Sequence, residues 1–381
     1  MRVAPAILAL FLAAPAAAQH KPDWAGVWDG RIGTYPVRLC IDAEGGPASG
    51  AYYYRSQLEP IAITEEDGEG GWIEKSADDQ PSALWEFAEQ TGDRLRGTWR
   101  QGRRNLPFDL TPVAWTAGEY SGPCSSDAFL TPRIAGGEVV SEPAELDGWR
   151  YTAQSYHPPK HFAEEITLES FTFAPEQSGD GEILAELAKG LPTGSYQATY
   201  LQCMGDNIAV HGVDGNYSTT SKPVFVSDAW LTTIESYDIY CGGAHPSHGF
   251  YYRTFDRRTG KEVDLAGWFN EAGAEYQPSE GDEGYFTILP PLVEVIIEMG
   301  PSDGEPGDGP AERELFLEEC REALNTWSWR FGLSSAGLLA VPVVPHAYGP
   351  CRATFTVPWE ELGPFLNDVG KAALARLRAA D

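Results

Sequence analysis

Between residues 23 and 113 the chain is cut into short pieces that alternate apolar and polar side chains. They read "WAGVWDGRIG", "YPVRLCID", "GAYYYRS", "GGWIEKS", "SALWEFAEQ", "RLRGTWRQ" and "LPFDLTPV". Turn-forming Gly and Asp separate them. A period of two places one row of side chains on each face of a strand, so each piece is a strand with a buried face. Closely spaced turns leave no room for crossover helices. The expected product is an antiparallel meander, open or closed into a small barrel.

Repeated Gly-x-Trp and Gly-x-Tyr units give this unit a general resemblance to meander barrels of the avidin and lipocalin type. Trp24, Trp28, Tyr52, Tyr54, Trp72, Trp85 and Trp99 supply either its core or the lining of a small-ligand cavity.

The rest of the chain has a different grammar. Residues 114–140 are irregular, carry Cys124 and read as a linker. Residues 145–381 mix strand-like pieces with helical periodicity. The strand-like pieces are "EITLESFTFAP", "GSYQATYLQCM", "NIAVHGV", "AWLTTIESYDIY", "GFYYRTFDRR" and "KEVDL". "GEILAELAKGL" reads as a short helix. "AERELFLEECREALNTW" puts Phe316, Cys320, Ala323, Leu324 and Trp327 on one face. A last helix, with Pro364 in its first turn, aligns Leu366, Val369, Ala373 and Leu377. Two domains follow. The first is an N-terminal all-β antiparallel meander or barrel. The second is a C-terminal α+β domain with an antiparallel sheet and two to three helices.

The first 18 residues have the form of a secretory signal. Arg2 precedes an apolar stretch from Ala6 to Ala14, and Ala16-Ala17-Ala18 suits a signal peptidase. No later stretch has the roughly 20 apolar residues of a transmembrane helix. The expected location is the periplasm or the outside of the cell. Six cysteines in an exported chain favour disulfides over thiol chemistry. Sequence alone leaves the pairing open; with each bond kept local to a folding unit, the expected set is Cys40–Cys124, Cys203–Cys241 and Cys320–Cys351. The net charge is −29, which repels nucleic acid and anionic lipid and attracts a cationic partner.

"YCGGAHPSHGFYYRTFDRRTG", residues 240–260, is the densest run of chemically useful side chains. "CGGAHPSHG" reads as the loop leaving strand 229–240, with Gly242 and Gly243 free to take backbone angles other residues avoid. Phe250, Tyr252 and Phe255 fall near one side of the next strand, with a register shift. Arg258-Thr259-Gly260 turns the chain, Gly260 in the left-handed position. His245 and His248 hold a metal only with a third ligand, for which His211, Asp238 and Asp256 are available. No G-x-S-x-G, H-E-x-x-H, S-x-x-K or glycine-rich phosphate loop occurs. "EEDGEGG" and "PSDGEPGDGP" lack the spacing of a calcium loop and read as solvated turns. No cofactor is implied.

The stretch 236–269 resembles the core motif of the RsiV-like domain family. It supplies Tyr240, Gly242, Gly243, Ala244, His245, Phe255, Asp256, Thr259, Gly260, Lys261 and Phe269. Gly337–Leu339, Tyr348 to Pro350 and Val357 to Leu362 resemble the family's ending. The match spans about 150–367, looser across the acidic insert 271–310. The family includes the outer part of the lysozyme-sensing anti-sigma factor RsiV and non-catalytic modules of peptidoglycan deacetylases such as PdaC. The resemblance implies an exported recognition domain at the cell wall, acting on a lysozyme-like hydrolase or a wall component. Two differences bear on this. The chain carries no transmembrane and cytoplasmic segments for signalling. "HPSH" is one residue short of the deacetylase H-[ST]-x-x-H motif, and Phe-Asp-Asp-Gly is absent. Cys241, before Gly242, departs from the family and offers a brace for the loop.

The expected function is non-catalytic recognition of a basic cell-wall hydrolase, with Tyr240, Gly242, Gly243, His245, His248, Tyr252 and Asp256 as binding residues. Two alternatives stand beside it. One is a metal-dependent hydrolase on wall glycans using His245 and His248, with His211 as the third ligand in the metal reading. The other is a small-ligand carrier working through the N-terminal aromatics.

Overall fold

The computed structural model describes residues 22–43, 48–65, 71–75, 81–116, 122–134, 136–162, 164–192, 199–279, 282–302 and 310–379. The secretory-signal stretch and most of the two acidic loops lie outside these residues. Eight strands follow in order: β1 (Gly26–Ile32), β2 (Tyr35–Asp42), β3 (Ser49–Tyr54), β4 (Ile61–Glu65), β5 (Gly71–Lys75), β6 (Pro81–Gln90), β7 (Leu95–Gln101) and β8 (Arg104–Val113). Each pairs antiparallel with its neighbour, and β1 pairs with β8, so the meander closes into a barrel. Closure removes both sheet edges.

Alternation places Trp28, Leu39, Ile41, Tyr52, Trp72, Trp85, Trp99 and Phe108 inside. Cross-strand register aligns Trp72 with Trp85 and Trp85 with Trp99, forming a band of indoles. The Glu74 carboxylate, 3% exposed, sits among them. Its Oε1 accepts from Tyr52 Oη (2.7 Å), Trp85 Nε1 (3.0 Å) and Trp99 Nε1. The aromatics read as core or cavity lining thus pack on one another, with centroids 5.1 Å apart for Tyr52–Trp85 and 4.7 Å for Trp85–Phe108.

The outward row of β1 to β3 is buried as well. Val27, Cys40, Ala51 and Tyr53 join a second core with Phe129, Phe162, Met204 and Ile208. Residues 114–140, read as a linker, contain α1 (Asp127–Leu130), flanked by 3-10 turns at Pro123–Ser125 and Thr131–Arg133. The Cys40–Cys124 disulfide staples this segment to the barrel. Fully buried Arg133 ties three regions together. Its Nε donates to the Leu58 carbonyl (2.7 Å). Its two Nη atoms donate to Asp214 (2.8 and 2.5 Å), and its guanidinium lies 4.6 Å from the Phe162 ring centroid.

Beyond it lie β9 (Glu138–Leu146), β10 (Trp149–His157), β11 (Ile166–Thr172), α2 (Asp180–Leu187), α3 (Thr199–His211), β12 (Asn216–Val226), β13 (Trp230–Tyr240) and β14 (Ser247–Asp256). The strands form one sheet in the order β14-β13-β12-β11-β10-β9. All neighbours are antiparallel except β11 and β12, which are parallel and joined through α2 and α3.

The C-terminal part adds a hairpin, β15 (Ala274–Ser279) and β16 (Asp282–Ile288), then α4 (Pro290–Met299) and α5 (Pro310–Thr326). A three-stranded sheet follows, β17 (Trp329–Leu333), β18 (Gly337–Pro342) and β19 (Phe355–Pro358), and then α6 (Asp368–Ala379). Its core gathers Trp268, Leu292, Ile296, Leu324, Phe331, Phe355 and Leu374. The Cys320–Cys351 disulfide joins α5 to a 3-10 turn, His346–Cys351.

Several element readings need correction. The described part of "GSYQATYLQCM", residues 199–204, and "NIAVH" of "NIAVHGV" belong to α3, not to strands; residues 194–198 lie outside the described residues. "KEVDL" forms only one bridge, Phe255 to Glu262, and is not a return strand. Phe255 faces away from Phe250 and Tyr252 because β13 and β14 pair without a register shift. Trp327 lies past the end of α5 and is 42% exposed. Val369 is 63% exposed, because α6 begins at Asp368 and turns Ala373, Leu374 and Leu377 inward.

Candidate recognition site

The hairpin of β13 and β14 carries the residues singled out in the sequence. Its register runs from Trp230 opposite Asp256 to Ile239 opposite Ser247, leaving residues 240–246 as the tip. The tip is anchored to α3 by the Cys203–Cys241 disulfide. Gly242 has φ +93°, and a Cβ there would sit 3.3 Å from Asn207 Cα and from Val210 Cγ2. Only a glycine turns the chain here and still lies on the helix. Gly243 carries no such demand: its φ is not positive, and its Cβ position is open.

Tyr240 and His211 stack on each other, with Tyr240 Oη 3.1 Å from His211 Nε2. His211 is therefore engaged on α3 with Tyr240. His245 and His248 turn instead to His346, in the 3-10 turn after β18. The His245 and His346 rings are parallel, with centroids 4.4 Å apart, and His248 meets His346 edge-on at 5.3 Å. A face-to-face ring stack aims no pair of nitrogens at a common point. Among the described residues, no three His, Cys, Asp or Glu side chains are placed to hold a metal ion. The His245–His248–His211 set is not assembled.

The histidines form part of an exposed patch. Val343 (43%) and Tyr348 (36%) lie within three positions of His346 and are exposed. Trp327 (42%) is exposed next to Ser328. The Val343 N–H donates to the Ser328 carbonyl, beside Trp327 (2.8 Å). Arg352 holds the two segments together through the His248 carbonyl (2.8 Å) and the Val344 carbonyl (3.0 Å). Trp, Tyr and His on a rigid, bonded support are suited to protein recognition.

Tyr252 and Asp256 belong to the scaffold. Tyr252 is 8% exposed, and its hydroxyl is 2.9 Å from Thr354 Oγ1. Asp256 Oδ1 accepts from the Arg258 and Thr259 N–H groups (2.9 and 3.3 Å), and Gly260, at φ +73°, closes the turn onto the Asp256 carbonyl (2.8 Å). This is Asx-turn chemistry.

The middle of the opposite face of the hairpin is polar. Glu235 Oε1 accepts from Ser221 and Thr233 hydroxyls, each at 2.8 Å. Burial pushes the Glu235 carboxyl above the usual range, outweighing these hydrogen bonds and Arg253. Arg253 is bound by Glu262 (2.8 and 2.9 Å) and Glu186 (3.1 Å). Reasoning from sequence missed His346, Trp327 as an exposed residue, and Glu235. Only the resemblance at Tyr348 to Pro350 pointed near the first.

No family model and no curated protein matches the sequence. Among solved structures, the chain is similar to a DUF3298 family protein from Pseudomonas aeruginosa PAO1. Identity is 13%, coverage is 61% of this chain and 94% of that one, and the TM-score is 0.33. It is also similar to a DUF3298 family member from Bacteroides fragilis, at 13% identity, 65% and 99% coverage, and a TM-score of 0.35.

Proposed function

We propose that this chain is an exported, non-catalytic recognition protein that holds a cationic protein at the cell envelope, a basic wall hydrolase such as lysozyme being the first partner to test. The observation that carries the reading is the exposed cluster of His245, His248 and His346, with Val343 and Tyr348 exposed beside His346, held by Arg352 and the Cys203–Cys241 bond. Three further features support it. The net charge of −29 steers basic partners toward the surface. Three disulfides suit an oxidising compartment. The tip also lies in the segment that resembles the RsiV-like family.

The test is lysozyme capture by the immobilised protein at ~0.05 M and ~0.3 M salt, a range over which exposed charge pairs are increasingly screened. Capture that survives the higher salt and falls at least tenfold in His346→Ala supports a packed interface. Absence of capture at low salt overturns the reading for this partner.

A further inference from the structure

A cavity of about 290 Å³ opens at the far end of the sheet from the histidine patch. The two sites are separated by the length of β13, about 30 Å at strand rise. Its lining includes Trp149, Trp359, Asp147, Glu176, Asp228 and Arg257. The two indoles are half-buried walls, and the three carboxylates are exposed at the rim.

The Asp147 backbone, Trp149 and Arg257 are each held in place. Asp147 has φ +48° and is followed by Gly148 at φ +85°, the backbone of a tight two-residue turn between β9 and β10. Trp149 packs on Phe173 with centroids 5.1 Å apart. Arg257, 2% exposed, is already neutralised. Asp180 takes its Nε and Nη2 (3.0 and 2.7 Å), the Ser227 carbonyl takes its Nη1 (2.9 Å), and Glu176 lies 3.8 Å away. Arg376, next to the lining residue Leu377, is turned onto the Trp230 ring at 4.6 Å. The lining thus carries three carboxylates, Asp147, Glu176 and Asp228, and one guanidinium that buried Asp180 already neutralises.

Aromatic walls with surplus negative charge in a partly enclosed space favour a cation with a flat or alkyl body. The volume is at the small end for ligand pockets, the size of one long side chain. We infer that this cavity binds an alkylguanidinium or alkylammonium group, either as a free amine or as an Arg or Lys side chain of a protein. Its residues are distinct from those of the histidine patch, so it stands or falls separately.

The probe is agmatine, titrated calorimetrically into the full chain at low ionic strength, with neutral butylurea as the control. Agmatine is expected to bind saturably, with a dissociation constant of about 1 mM or tighter for a ligand of this size. Butylurea is expected to bind at least tenfold more weakly. The double variant Glu176→Gln/Asp228→Asn alters two exposed side chains, leaves the fold intact and is expected to weaken agmatine at least tenfold. If that variant also loses capture of lysozyme, the cation is a partner side chain; if capture persists, it is a free amine. Equal binding of agmatine and butylurea, or agmatine affinity within twofold of wild type in the double variant, overturns the inference.

Discussion

Arg257 and Asp180 meet as a two-pronged ion pair with both side chains out of solvent, at 2% and 0% exposure. Burial alone would raise the Asp180 carboxyl. The Arg257 hydrogen bonds and the Glu176 and Gln177 N–H groups outweigh it and hold the carboxyl below the usual range. Asp180→Asn leaves a buried guanidinium without its counter-charge and should cost about 3–5 kcal/mol. Asp180→Leu with Arg257→Met should cost far less, since both charges leave together. Denaturant melts of the three proteins check this. A depressed carboxyl stabilises above its unfolded pKa, so in wild type this contribution should be lost as pH falls below about 4.

Glu235 carries the opposite sign. Its raised carboxyl favours the folded state while protonated, and that contribution is lost as pH rises through the folded value. Glu235→Gln keeps an acceptor for the Ser221 and Thr233 hydroxyls and removes the titration. Thermal melts from pH 4 to 8 should show the variant gaining on wild type as pH rises. A constant difference across that range would remove Glu235 as the source.

The Cys203–Cys241 bond closes a loop with a sequence separation of 38. Cys203→Ala/Cys241→Ala should lower stability by about 4 kcal/mol on chain-entropy grounds. It should also loosen the tip over α3. Hydrogen exchange at residues 241–246 should rise in the variant while exchange in β1 to β8 stays unchanged.

Glu74→Leu should damage the barrel more than its size change implies. Three buried donors, from Tyr52, Trp85 and Trp99, would lose their acceptor at an estimated cost of about 1–3 kcal/mol each. Near-UV circular dichroism should lose tryptophan signal, and the denaturation midpoint should fall.

The barrel was legible because strands with one inward row print a period of two. The interior of a closed meander needs no long-range information beyond that row. Helix α3 was not legible, for two reasons. Its exposed face mixes Gln202 and His211 with Val210, which is 59% exposed, so the apolar period is blurred, and Gly205 interrupts its helix-forming run. That glycine is required, since a Cβ there would come within 2.4 Å of Ser125 Cα. Helix α4 drew no reading from the sequence: its Val and Ile suit a strand, and only Pro290 at its start and Gly300 at φ +74° past its end mark its limits. The histidine tip was visible in the sequence, but its partner was not. His346 lies about a hundred positions later, and only folding brings the rings together.

The cysteines pair in chain order, and no disulfide loop encloses a cysteine of another. This has a kinetic meaning. A chain that meets oxidant from its N-terminal end always offers a newly arrived even-numbered cysteine a single unpaired thiol, and that thiol is the native one. A simple oxidant is then sufficient, with no reshuffling of wrong bonds. The same chain refolded from the fully reduced state faces all its thiols at once, and there an isomerase should set the pace.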